Sequence, residues 1–152
     1  MSSLEAILEA IADQIRVALD GSDWTFQVEP GYVANPTPPT VDVYLGDPGR
    51  ELNETSSFGE TDADSAGGEW VTVRARVSPL DKAAQQSILV NLADPESEIS
   101  IVQALYDDPT LGGFAADVTL ENRSGMVPIP TLDGGAWHFG ILWRFLVIPA
   151  RS

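Results

Sequence analysis

Residues 136–148 read Ala-Trp-His-Phe-Gly-Ile-Leu-Trp-Arg-Phe-Leu-Val-Ile, and the architecture turns on them. Trp137, Phe139, Ile141, Trp143, Phe145 and Val147 alternate with His138, Gly140, Leu142, Arg144, Leu146 and Ile148. That period of two is the signature of a β-strand. Toward the end of the segment both sets are apolar, as expected of a strand covered on both faces.

Outward from this strand, the same period recurs upstream. Val118 and Leu120 mark one further strand. Val71, Val73, Ala75 and Val77 mark another, with Trp70, Thr72, Arg74 and Arg76 on its opposite face. Val41, Val43 and Leu45 repeat the pattern, as do Trp24, Phe26 and Val28, which Pro30 ends. At the N-terminus the period lengthens. Leu4, Ile7, Leu8, Ile11, Ile15, Ala18 and Leu19 form an apolar stripe that predicts a helix over 3–20. Ser2 with Glu5 fits a capping box, and Gly21 supplies a stop. Asp81 is placed to cap a short helix carrying Ala83, Ala84, Ile88, Leu89 and Leu92; after Asp94-Pro95 a second carries Ile99, Val102, Leu105 and Tyr106. Pro36, Pro38 and Pro39 stiffen 31–39, while Gly125, Pro128, Pro130, Gly134 and Gly135 predict a loop or irregular ribbon over 122–135. The element order gives an α+β fold: a single, mainly antiparallel sheet packed by an N-terminal helix and two short central helices, in one domain spanning 1–152.

Composition narrows the function. Eight basic residues face 23 acidic ones, a formal charge of −15, so the surface repels phosphate backbones and direct nucleic-acid binding is disfavoured. Lys82 is the only lysine, which fits a GC-rich genome or a halophilic source. Absence of cysteine removes disulfides, thiol nucleophiles and cysteine zinc sites. The longest apolar run, Phe139 to Pro149, is interrupted by Arg144 and is too short to span a membrane. Met1 to Glu5 lacks the pattern of a signal peptide, so a protein made in the cytoplasm is expected.

The residues offer little chemistry. His138 is the sole histidine, no Gly-x-Ser-x-Gly elbow accompanies it, and no Walker or Rossmann glycine pattern occurs. Residues 46–69 form a long polar insertion with seven acidic residues. In it Asp62, Asp64 and Gly67 match the first, third and sixth positions of a calcium loop, but Ala66 and Val73 stand where the fifth and twelfth ligands belong. No catalytic residue, cofactor or metal is therefore expected, and the chain reads as a non-enzyme. Four tryptophans, and bulky groups on both strand faces, leave two arrangements: a fully sandwiched sheet, or a face or edge that meets another subunit.

Several segments together resemble the tail terminator proteins of long-tailed phages of actinobacteria. They are Asp81-Lys82-Ala83-Ala84-Gln85, then Ala104-Leu105-Tyr106-Asp107-Asp108-Pro109-Thr110-Leu111-Gly112-Gly113, then Asp117-Val118. The amphipathic first helix and Asn35-Pro36-Thr37-Pro38-Pro39 before a Val-rich strand belong to the same resemblance, which spans nearly the whole chain except the 46–69 loop. It implies an α+β protomer that forms a homo-oligomeric ring, typically a hexamer, on the tail tube. Such a ring stops tube polymerisation, presents a surface to the head-tail connector and lets double-stranded DNA pass without specific binding, as a component of the virion. The turn of Asp108, Thr110, Leu111, Gly112 and Gly113 would be structural, with Gly112 or Gly113 supplying positive φ. Glu60, Asp62, Asp64 and Trp70 are candidates for the lumen or an interface. Met126 to Leu132 is richer in proline than the family pattern, which keeps open a stopper or completion protein of the neck. An acidic, DNA-mimicking binding module and a halophilic enzyme are the readings of other classes.

Overall fold

The computed structural model describes residues 3–22, 24–31, 33, 39–46, 68–78, 82–130 and 137–150. The architecture is α+β, a mixed six-stranded sheet with three α-helices among the described residues. In chain order these are α1 (Ser3–Leu19), β1 (Gln27–Pro30), β2 (Thr40–Leu45), β3 (Glu69–Val77), α2 (Lys82–Ala93), α3 (Ile101–Tyr106), a 3₁₀ turn at Leu111–Gly113, β4 (Ala115–Arg123), β5 (Val127–Pro130) and β6 (Trp137–Pro149). Strand order is β1-β2-β3-β6-β4, with β5 also paired to β6.

The decisive segment is the central strand. β6 pairs antiparallel with β3 along one side, Val71 opposite Phe145 and Ala75 opposite Ile141. Its other side is shared by β4, from Ala115 opposite Pro149 to Arg123 opposite Trp143, and by β5, from Val127 opposite Gly140 to Pro130 opposite Trp137. β4 and β5 run the same way, so they act as one long strand broken at Ser124–Met126. Ser124 holds the pairing across the break. Its N–H donates to the Leu142 carbonyl at 2.8 Å, and its hydroxyl accepts from the Leu142 N–H at 3.0 Å.

Two expectations need correction. The ribbon expected over 122–135 contains a strand, because prolines are tolerated at an edge. Alternate N–H groups of an edge strand point away from its partner, so Pro128 and Pro130 remove no ladder bond. The strand expected around Trp24, Phe26 and Val28 is confined to 27–30, leaving Trp24 and Phe26 ahead of it, packed against the core. That strand pairs in parallel with β2, Val28 opposite Val41. The connection from Gly31 to Pro39 makes this possible, since nine residues reach about 30 Å when extended, well beyond the length of β1.

One face of the sheet carries the core. Val41, Val43, Val71, Val73, Ala75, Val77, Ile141, Trp143, Phe145 and Val147 are buried there with Ile7, Ile11, Ile15 and Leu19 of α1. Ile88, Leu89 and Leu92 of α2 and Ile101, Ala104 and Leu105 of α3 join the same cluster. The third helix starts at Ile101, so Ile99, expected within it, lies ahead of it, and Ser100 caps it, its hydroxyl accepting from the Gln103 N–H at 3.2 Å. Gly21 follows α1 at φ 87°, the left-handed stop that a glycine supplies.

Side chains cap a backbone group at the β1 and β4 edges of the sheet. At the β1 edge, Arg16 donates from Nε and Nη2 to the Val28 carbonyl at 3.2 and 2.8 Å. At the β4 edge, register shifts fall between Ala115 and Asp117 and between Leu120 and Asn122, and the Leu120 N–H is taken by the Tyr106 hydroxyl at 3.0 Å. Bulges, charges and side-chain caps of this kind block strand addition by another chain.

Candidate functional site

The sheet face opposite the helices, where the spacing on β3 places Trp70, Thr72, Arg74 and Arg76, holds a buried polar layer. Asp42 of β2 stands directly opposite Arg74 of β3, and Arg76 lies two residues further along the same face. Asp42 is 0% exposed, Arg74 5% and Arg76 1%, so the charges meet out of water. Arg74 grips the carboxylate side-on, Nε to Oδ1 at 3.3 Å and Nη2 to Oδ2 at 2.8 Å. Oδ2 also accepts from Arg76 Nη2 at 3.1 Å and from the Val33 N–H at 3.0 Å. Arg76 donates in turn to the Val33 carbonyl at 2.7 Å, tying the segment after β1 to the middle of the sheet. The Arg74 guanidinium lies 5.3 Å from the centroid of the Tyr44 ring. Such a cluster fixes register, because sliding β2 by one residue would send Asp42 into the apolar layer. Its burial leaves it no access to a substrate, so its role is to hold strands together.

Further along this face, Arg144 of β6 stacks on Trp70 of β3, 4.3 Å from ring centroid to guanidinium carbon. Trp70, a candidate interface residue, is thus half-buried and already engaged. Thr72 between them donates its hydroxyl to the Gly46 carbonyl, anchoring the last described residue before 47–67. Glu69 at the start of β3 is half-buried, and desolvation pushes its carboxyl above the usual 4.5.

His138 is half-buried on β6, and its Nδ1 is buried without a hydrogen-bond partner among the described residues. Desolvation first, and the positive charge of Arg76 second, hold its imidazole below the usual 6.5. The native state therefore resists protonating a group that the unfolded chain protonates readily. Its contribution to stability is full above pH 6.5 and is lost as pH falls below that value through the native pKa. Because the chain has one histidine, a single imidazole resonance reports it; we expect a midpoint below 6.5, and His138→Gln should flatten this part of the stability profile.

The turn after α3 is built by one carboxylate. Asp108 Oδ1 accepts from the Thr110 N–H at 3.1 Å and the Thr110 hydroxyl at 2.5 Å, and Oδ2 accepts from the Gly112 N–H at 2.9 Å. The Thr110 and Gly112 bonds hold the Asp108 carboxyl below its usual 3.8. Leu111, Gly112 and Gly113 follow at φ 52°, 70° and 100°. A leucine at positive φ is unusual, and Leu111 is held there by its side chain, 1% exposed in the core. A Cβ at either glycine would meet nothing within 4 Å, so the constraint is backbone conformation, not space. Gly112→Val with Gly113→Val should destabilise the fold by about 1–2 kcal/mol per site, read as a lower urea midpoint at unchanged slope.

Asp108, Thr110, Leu111, Gly112 and Gly113 are therefore brought together in one turn, while Trp70 belongs to a separate strand. Glu60, Asp62 and Asp64, and the capping residues Ser2 and Asp81, lie outside the described residues. Among the described residues no three His, Cys, Asp or Glu side chains group as a metal site would require. Among the described residues no helix is long and apolar enough to cross a membrane. No protein-family model matches this chain, and no curated protein matches it.

Proposed function

We propose that the protein is a structural subunit of a tailed virus, a tail terminator that forms a ring, ends tail-tube growth and joins the tail to the head connector. The observation that carries this reading is the segment Tyr106–Gly113, whose sequence resembles that family. That turn is locked by Asp108 and holds three successive positive φ values, at Leu111, Gly112 and Gly113. Three further features are consistent with it. Exposed apolar side chains, Trp137 at 58%, Val90 at 56% and Phe114 at 50%, supply material for the two unlike surfaces that a ring contact needs. Bulges on β4 and the side-chain caps at the β1 and β4 edges favour contacts by side-chain packing over open-ended strand pairing. A charge of −15 per subunit suits a passage that must not grip DNA. Tail-tube subunits polymerised with and without the protein test the reading. Tubes of limited length, carrying the protein at one end, are expected. Tubes of unchanged length with none bound would refute it.

A further inference from the structure

The β5–β6 ribbon is the most lightly held part of the sheet. β3 stops pairing with β6 at Val77 opposite Phe139, whereas β5 continues past that point, with Ile129 opposite His138 and Pro130 opposite Trp137. The first residues of β6 thus form a two-stranded extension, and among the described residues β5 pairs with β6 alone. The break at Ser124–Met126 separates β5 from β4, with Gly125 exposed in it. A four-residue edge strand with a break at one end sits at the low end of local stability.

The one histidine lies in this ribbon, where a second positive charge has no place. His138 shares a sheet face with Arg76, which stands opposite Gly140. Gly140 offers no side chain to keep the neighbours apart, and Arg76 Cγ and Ile129 Cδ1 both reach over the place where a Cβ would be. Ile129, directly across from His138, is 9% exposed and brings no polar group. His138 Nδ1 is itself buried with no hydrogen-bond partner among the described residues. The charged groups around it are few. β5 reads Val-Pro-Ile-Pro and brings none, β3 brings Arg76, and Asp42 of β2 is taken by Arg74 and Arg76. Further along β6, Arg144 is stacked on Trp70. A proton on His138 would therefore meet a like charge. Arg76 cannot retreat, being 1% exposed and held by Asp42 Oδ2 at 3.1 Å and the Val33 carbonyl at 2.7 Å. The part free to yield is the ribbon.

We propose that the end of the β5–β6 ribbon is an acid-released flap, with His138 as its catch and the break at Ser124–Met126 as its hinge. Neutral His138 lets Ile129 close against the sheet. Protonated His138 turns out to water, β5 leaves β6, and the edge of β6 at His138 to Gly140 is bared together with Ile129. The rest of β6 stays clamped between β3 and β4. The closed ribbon binds the proton less readily than the open one, so opening gains population as pH falls below 6.5, by about tenfold per pH unit until the closed form titrates.

Amide hydrogen exchange of the full chain, followed by NMR on both sides of pH 6.5 and corrected for intrinsic rates, tests this. Pro128 and Pro130 carry no N–H, so the amides of Val127 and Ile129 report β5. Below pH 6.5 their protection should fall by about tenfold per unit, with a weak dependence on urea, while Val71, Val73 and Phe145 keep theirs. His138→Gln, which cannot take up the proton, should remove the pH dependence at Val127 and Ile129. Loss of protection in β5 and in the β3–β6 centre together would overturn the proposal, because acid would then act on the whole fold. So would pH-independent protection at Val127 and Ile129, or a loss that persists in His138→Gln. The comparison of β5 with the β3–β6 centre needs the wild-type chain alone, and it holds whether or not the chain forms a ring.

Discussion

Asp42→Ala is expected to remove about 3–5 kcal/mol of folding stability, the range for breaking a buried ion cluster by deleting one partner. The loss is large because the carboxylate receives four donors from three residues, all out of water. Its removal leaves Arg74 and Arg76, 5% and 1% exposed, with like charges side by side and their shared counter-charge gone. A domain of this size has only about 5–15 kcal/mol in total, so the variant should sit near its unfolding threshold. The same physics gives an asymmetric companion. Replacing all three charges, Asp42→Val with Arg74→Met and Arg76→Met, should retain more stability than Asp42→Ala alone, since no buried charge is orphaned. Urea unfolding of both variants decides the matter; a triple variant less stable than the single one would mean that the cluster contributes net stability beyond its own desolvation.

Gly140→Val should be of similar severity, about 3 kcal/mol or more, because overpacking here meets backbone. A Cβ at this position would lie 2.5 Å from the Ala75 carbonyl oxygen of β3, against Ile129 Cδ1 of β5, and 3.4 Å from Arg76 Cγ. The isoleucine can turn aside, but the carbonyl is held in the ladder between β3 and β6. Gly140→Ala should therefore also destabilise, and adding Ile129→Ala should restore only part of the loss. Full restoration by Ile129→Ala would mean that the side chain, not the Ala75 carbonyl, sets the constraint.

How far the molecule was legible beforehand follows from which forces act locally. Helix α1 and strands β2, β3 and β6 were readable because one buried face imposes a period on neighbouring residues. Val71, Val73, Ala75 and Val77 do lie on the core side, as their spacing predicts. The opposite face was legible only in part. Spacing places Thr72, Arg74 and Arg76 on it but does not say what covers it, and only the meeting with Asp42, 32 positions from Arg74 in sequence, makes their burial tolerable. The available signal was composition: two of the eight basic residues fall on one face of one strand in a strongly acidic chain. Gly140 looked like one more member of the alternation, since a close approach by neighbouring strands leaves no mark within a single strand. β5 was hidden by its prolines, which exclude a central strand but not an edge. The turn at Asp108–Gly113 was visible from its glycines, whereas the positive φ of Leu111 was not, because tertiary packing imposes it.

The ring reading is best tried by measuring the mass of the purified full chain by light scattering, alone and with isolated tail tubes of a long-tailed phage. A ring-sized species, or monomers that assemble only at tube ends, is the predicted result. A strict monomer indifferent to tubes would contradict it.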